Sequence, residues 1–243
     1  GVDRATFGDD GMVDVLQPRE LVFHDLFDGY SVNPHHAGDP FIAQAKYQAR
    51  MGDVREEVEE AVRFVVERAQ GRRAVIVPSN HDNFLARWIR NTDWRQNPVT
   101  AAFYLETAQA MLASVRMGPG GAEYEDPFRY WVERLKGAAD VLALQTDESH
   151  TIGGIEVGLH GDRSPNGARG TLKNLSRLGA RVVTAHEHAP GIEEGNYKVG
   201  TSTPRHLEYT HGPSSWLNTH CAIYATGKRA LISVVDDRWR APL

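Results

Sequence analysis

Four apolar runs in this chain end in side chains that bind metal ions or move protons. "VFHDLFDG" delivers Asp25, "VIVPSNHD" delivers Asn80 and His81, "EVGLHGD" delivers His160, and "VVTAHEHA" delivers His186 and His188. A carboxylate, a carboxamide and several imidazoles suit hard-to-borderline divalent ions, Mn2+ foremost, with Fe2+, Zn2+, Ni2+ or Mg2+ as alternatives. Without cysteine ligands a structural zinc site is not expected. A carboxylate that can bridge makes two ions plausible. Two ions roughly 3.5 to 4 Å apart can hold a water, lower its pKa and neutralise phosphate oxygens during an in-line attack.

The elements that must position these residues alternate. Residues 20–25 and 72–79 read as buried strands around a stretch, 39–70, that carries helical periodicity, which makes a βαβ unit. Helical patterns follow at 82–91, 98–116 and 126–137, then strands at 140–145 and 154–160. A helix at 167–178, a strand at 181–185 and a β-rich end with a hairpin turn at 225–228 complete the chain. The expected fold class is α/β. Loops at strand ends should carry the chemistry, because strands of one sheet bring their ends to a common rim.

Each residue also has a plainer reading. Ser79 or Asn80 could simply cap the helix starting near Asp82, whose carboxylate would suit the positive end of the helix dipole. His24 could stack beside metals or be hydrogen-bonded to backbone at its strand end. His35 and His36 could bind phosphate or metal, or form a solvated loop pair. His206 and His211 read as loop residues, and His220 as packed in its strand. "RWIRNTDWRQN" interleaves arginine with tryptophan, which suits nucleic acid but equally a helix end whose tryptophans pack. Arg163 and Arg169, just after His160, could meet a phosphate or only belong to a connection. "REEVEEAVRFVVER" is a solvated helix face, and Cys221 a small buried side chain rather than a nucleophile.

Composition sets the limits. The chain has 243 residues, 41% of them hydrophobic, so it can bury a substantial core as one domain, 1–243, with residues 92–138 as an inserted helical cap. A net charge of -5 and a pI near 6.1 argue against a broadly basic surface for nucleic acid, though not against a local patch. One cysteine excludes a disulfide framework, and no apolar run long enough for a membrane span or leader occurs. A cytoplasmic setting without a membrane partner is therefore expected.

Taken in order, "HDLFD" (24–28), "SNHD" (79–82), "HGD" (160–162) and "AHEH" (185–188) resemble the last four motifs of the calcineurin-like metallophosphoesterase superfamily. That family's pattern is D-x-H, G-D-x-x-D, G-N-H-D/E, a lone H and G-H-x-H; here glycine is replaced three times. The resemblance covers residues 20–190 and implies a metallophosphoesterase-type β-sandwich flanked by helices, with a helical insertion. Carried over, Asp25 would bridge two divalent metals, Asn80, His160 and His186 would bind the second, and His188 the first. His81 would be no ligand; it would face the scissile phosphate, stabilising charge or protonating the leaving oxygen.

The D-x-H element is the departure, because residues before 20 contain no histidine. Since Gly1 is not a natural start, loss of a first strand is expected, the alternative being recruitment of Asp28, His35 or His36. The tail and "FHDLFDGYSVNPHH" are similar to phage-encoded, DNA-degrading metallophosphoesterases with a core like the SbcD-type nucleases. This resemblance makes a DNase the leading expectation, with DNA in a groove lined by Arg87, Arg90 or Arg163. A phosphoesterase for a nucleotide or other small molecule, and a non-catalytic metal- or partner-binding domain, are the alternatives.

Overall fold

A computed structural model describes residues 2–36, 38–203 and 214–240; His206 and His211 lie outside the described residues. The chain is a mixed α/β structure with several small sheets, in two compact units: residues 25–145, and residues 1–24 with 146–243. No helix among the described residues is long and apolar enough to cross a membrane.

In the 25–145 unit the core forms around strands β2 (Arg73–Val77) and β5 (Val141–Ala143), paired in parallel with Val75 opposite Leu142. Ala74 to Val77 are all buried, as a continuous apolar run demands of a strand covered on both faces. The stretch 39–70, helical throughout in pattern, forms two helices, α3 (Pro40–Ala49) and α4 (Val54–Ala69). Arg50 turns left-handed at φ 56°, and Asp53 restarts the chain by accepting from the amides of Arg55 and Glu56. Val54, Val58, Val62, Val65 and Ala69 lie at helical spacing, which places one apolar stripe of α4 in the core.

Helix α5 (Asp82–Asn91) begins and ends where its pattern does. Within residues 92–138, α6 (Ala101–Ala113), a hairpin of β3 (Arg116–Gly118) and β4 (Gly121–Glu123), and α7 (Pro127–Leu135) follow. Helix α7 packs on α4, α5 and α6, and α6 also packs on α5. Phe103 stacks on Trp131 at 4.7 Å between ring centres, and the Trp131 indole N–H donates to Thr107 Oγ1 at 2.9 Å.

In the other unit, α1 (Val2–Phe7) and α2 (Met12–Leu16) precede β1 (Glu20–His24). Then come the two-residue strands β6 (Thr151–Ile152) and β7 (Ile155–Glu156), helix α8 (Leu172–Leu175), and a sheet of β8 (Val183–Thr184), β10 (Asn196–Lys198) and β9 (Gly191–Glu193). The reading of 154–160 as one strand gives way to a shorter β7, because the chain turns to bond elsewhere: Val157 donates to the His150 carbonyl. Strands β11 (Thr219–Ile223) and β12 (Arg229–Ser233) form a hairpin closed by the Tyr224 amide on the Lys228 carbonyl, the turn expected at 225–228. Ile155, Val157 and Val183 make the core, with Val22, Tyr197 and Cys221 packed on it. Burial pushes the Cys221 thiol up to about 11, so at neutral pH it is no nucleophile.

Two stability outcomes follow. Thr107 is fully buried, so Thr107→Val, which strands the Trp131 N–H, should cost about 1 to 3 kcal/mol in urea unfolding. His220, which meets Thr6 Oγ1 at 3.2 Å, is held by burial at a pKa of about 4 against an ordinary 6.5. Below pH 6.5 the unfolded chain takes up a proton that the folded chain refuses. Stability is therefore lost as pH falls from 6.5 towards 4, by up to about 2 kcal/mol between pH 7 and pH 5. Urea titrations of His220→Gln at those two pH values should show that much less acid sensitivity than the parent chain.

Candidate functional site

The 25–145 unit carries Asp25, Asn80 and His81. Asp25 follows β1 in a left-handed conformation, φ 53°, a backbone state that aspartate tolerates better than most residues and that recurs at functional turns. Phe27 is fully buried and stacks on Phe128 at 5.2 Å, which pins the loop; of the flanking carboxylates Asp28 is exposed, while Asp25 Oδ1 is buried without a hydrogen-bond partner. Gly29, at φ 67°, completes the turn; a Cβ there would meet the Phe84 ring at 3.0 Å.

The loop after β2 is held by a reciprocal pair. Asp82 accepts from the Ser79 amide at 2.8 Å, and Ser79 Oγ accepts from the amides of His81 at 3.2 Å and Asp82 at 3.4 Å. Capping of α5 thus falls to Ser79 and Asp82. The His81 side chain makes no cap bond. The His81 ring stacks on Phe84 at 5.0 Å, and its Nδ1 stands 3.5 Å from both Asp25 Oδ1 and Asp28 Oδ1. At that separation the contacts are ion pairs when the ring is protonated, not good hydrogen bonds. Burial by itself would lower the His81 pKa, but the carboxylates of Asp28, Asp25 and Glu57 outweigh it and raise the imidazole above its ordinary value.

Behind them Asp82 is 4% exposed, and its Oδ1 is buried without a hydrogen-bond partner. Burial first, and then the Asp126 charge, push its carboxyl well above the usual range. In a short 3-10 turn, Pro34–His36, the exposed His35 lies edge-on to the Phe84 ring at 6.3 Å and the half-buried His36 edge-on to the Tyr30 ring at 5.0 Å.

The other unit carries His160, His186 and His188. The His160 carbonyl accepts two amides, from Ala185 and His186, each at 3.0 Å. That double bond to one acceptor brings the two chain segments side by side, and His186 Nδ1 reaches His160 Nε2 at 3.3 Å. Two imidazole nitrogens bound to one tetrahedral ion at about 2.0–2.1 Å would be roughly 3.4 Å apart, so the pair has the spacing of shared ligands. Among the described residues, no group of three or more His, Cys, Asp or Glu side chains is arranged to hold an ion as they stand. The pair is a partial donor set rather than a complete one.

His24 is the residue that sequence reasoning undervalued. Its ring lies 6.0 Å from the His160 ring, and its Nδ1 is buried without the backbone hydrogen bond expected of a strand-end histidine. Burial lowers its pKa to about 4, so it stays neutral and able to donate a lone pair. Its place beside Asp25, where the superfamily pattern has glycine, was the available signal. His188 contacts Trp216 edge-to-face at 4.1 Å, and both line an open cleft of about 460 Å³ with His186, Arg169 and Lys198.

The three arginines expected to meet DNA are exposed. Arg90 reaches over the Tyr124 ring at 6.0 Å, while Arg163 pairs with Asp162 at 3.5 Å. Trp88 packs against Tyr104 at 5.1 Å and Phe103 at 6.4 Å, which supports the packing reading of "RWIRNTDWRQN" over base stacking.

Compared with known proteins, the chain matches no family model, and no solved structure matches it. It is 32% identical over 238 residues to Protein A1 of Escherichia phage T5, an alignment covering 95% of this chain and 42% of that protein. The chain is thus similar to a phage protein along nearly all of its own sequence while spanning about two fifths of that relative's length.

Proposed function

We propose that this chain is the metallophosphoesterase part of a phage protein and hydrolyses DNA phosphodiester bonds with two divalent ions, manganese foremost. The observation that carries the reading is the His160–His186 pair, joined at 3.3 Å from positions 26 residues apart in the chain. In the 25–145 unit Asp25 and Asn80 would offer oxygen donors, and in the other unit His160, His186 and His188 would offer imidazoles, each set considered by itself. Bound ions would supply Lewis acidity towards phosphate oxygens and lower the pKa of a coordinated water.

The protein's own groups do the rest. In the metal-free chain Asp28 and Asp25 keep the His81 ring more protonated near neutral pH than an ordinary histidine. An imidazolium is what a departing alkoxide needs as a proton source. The Ser79–Asp82 pair fixes the backbone from which Asn80 and His81 project. The metallophosphoesterase sandwich is the fold proposed with this chemistry.

One observation favours a second reading, a metal- or partner-binding domain without full activity. Among the described residues the His160–His186 pair stands without a third His, Cys, Asp or Glu side chain arranged with it to hold an ion. Hydrolysis of plasmid DNA and of a small chromogenic diester, with manganese added, separates the readings: a nuclease cleaves the plasmid faster, a small-molecule enzyme the diester, a binding domain neither.

Two variants assign roles. Asn80→Ala should weaken manganese binding in calorimetry. His81→Ala should leave metal uptake intact and slow DNA hydrolysis by about 10² to 10⁴. Normal turnover in His81→Ala would remove that residue from the chemistry.

A further inference from the structure

The cleft beside His186 and His188 has a feature that metal binding does not use. Arg169, Lys198 and Trp216 line it together with those histidines. Lys198 is neutralised by an ion pair with Glu187. Arg169 has no carboxylate partner among the described residues, whereas its loop neighbour Arg163 is paired with Asp162. Arg169 is therefore the cleft's uncompensated positive charge.

The backbone holds that residue in place. Arg163 and Arg169 face each other as an antiparallel bridge, and the Gly170 amide donates to the Asp162 carbonyl at 3.1 Å. The Arg169 carbonyl accepts from Ser164 Oγ and from Asn174 Nδ2, both at 3.0 Å. The loop returns so closely that a Cβ at position 170 would lie 1.7 Å from the Gly161 carbonyl oxygen, so only glycine allows it. An arginine on such a tied loop loses little backbone freedom when it binds an anion, and its guanidinium fork matches phosphate oxygens. Trp216, in the same lining, is half-buried, with its ring set at 87° to that of His188.

We propose that this cleft binds one unpaired nucleotide of a DNA strand, with Arg169 on its phosphate and Trp216 against its base. The proposal rests on the phosphoesterase reading and deepens it by assigning the substrate's strandedness. A volume of about 460 Å³ falls within the range of single-ligand sites, roughly 300 to 1,000 Å³. In a duplex both faces of each base are covered by neighbours, so an aromatic wall is useful only to a base that is single-stranded or flipped out. Cationic and aromatic side chains together are the combination that single-strand binders use. It also reconciles nucleic-acid binding with the chain's net charge of -5, because no broad basic face is required.

Fluorescence anisotropy tests the proposal, using a labelled oligothymidylate of about twelve nucleotides and a duplex of equal length, both with EDTA so that no metal contributes. The single strand should bind at least about ten-fold tighter than the duplex. Arg169→Gln should weaken single-strand binding by about ten-fold and reduce the slope of log affinity against log salt by about 0.7, one phosphate contact's worth. Trp216→Ala should weaken it by about five- to a hundred-fold, and Trp216→Phe should restore most of the loss. Manganese calorimetry on Arg169→Gln should match the parent chain. Both variants binding within about two-fold of the parent, or a duplex bound as tightly as the single strand, would overturn the proposal. If the parent binds no manganese while the variants still lose DNA, the metal reading fails and the cleft stands; normal metal uptake with unaltered DNA binding is the reverse.

Discussion

The carbonyl oxygen of His160, accepting the amides of both Ala185 and His186, is the interaction on which the histidine site depends. It forces two segments to run side by side where they have left their strands, and it sets the two imidazoles at ligand spacing. The approach leaves no room for a side chain at Gly161, whose φ is 102° and whose Cβ would stand 2.7 Å from Thr184 Cβ. At Gly170 the next turn of the same loop repeats the demand against the Gly161 carbonyl. Backbone closeness thus comes first, and the side-chain chemistry is hung on it.

A different constraint governs the 25–145 unit. There the difficulty is electrostatic: Asp25, Asp28, Asp82 and Asp126 gather around one imidazole and a helix start. Desolvated carboxylates repel one another and raise one another's pKa. The chain offsets part of this with the Ser79 amide on Asp82, the Arg129 amide on Asp126 and the His81 ring near Asp25 and Asp28.

Much of this was readable in the residues. Helix α5 and the 225–228 turn emerged where their patterns put them, because capping, periodicity and turn chemistry all act within a few residues. The break between α3 and α4 was harder, since its cause is the local cap at Asp53 inside an otherwise helical pattern. Strands β7 and β8 lie inside the expected 154–160 and 181–185 but are shorter, because their lengths are set by loop hydrogen bonds made over long sequence distances. His160 and His186 were found from their place after apolar runs. His24 and Trp216 were not, because burial and ring contacts are properties of the folded packing; the one hint at position 24 was a histidine where the motif has glycine. Arg163 and Arg169 were both readable as rim cations after His160, but the pairing of Arg163 with Asp162 is a contact only the folded loop shows.

The central claim is that the clustered imidazoles are a metal-ligand set. Anomalous diffraction at the manganese edge, from crystals of this chain soaked in manganese, tests it most directly. The account predicts a peak within about 2.0 to 2.3 Å of an imidazole nitrogen of both His160 and His186. A well-ordered soaked crystal with no peak at that pair would contradict it.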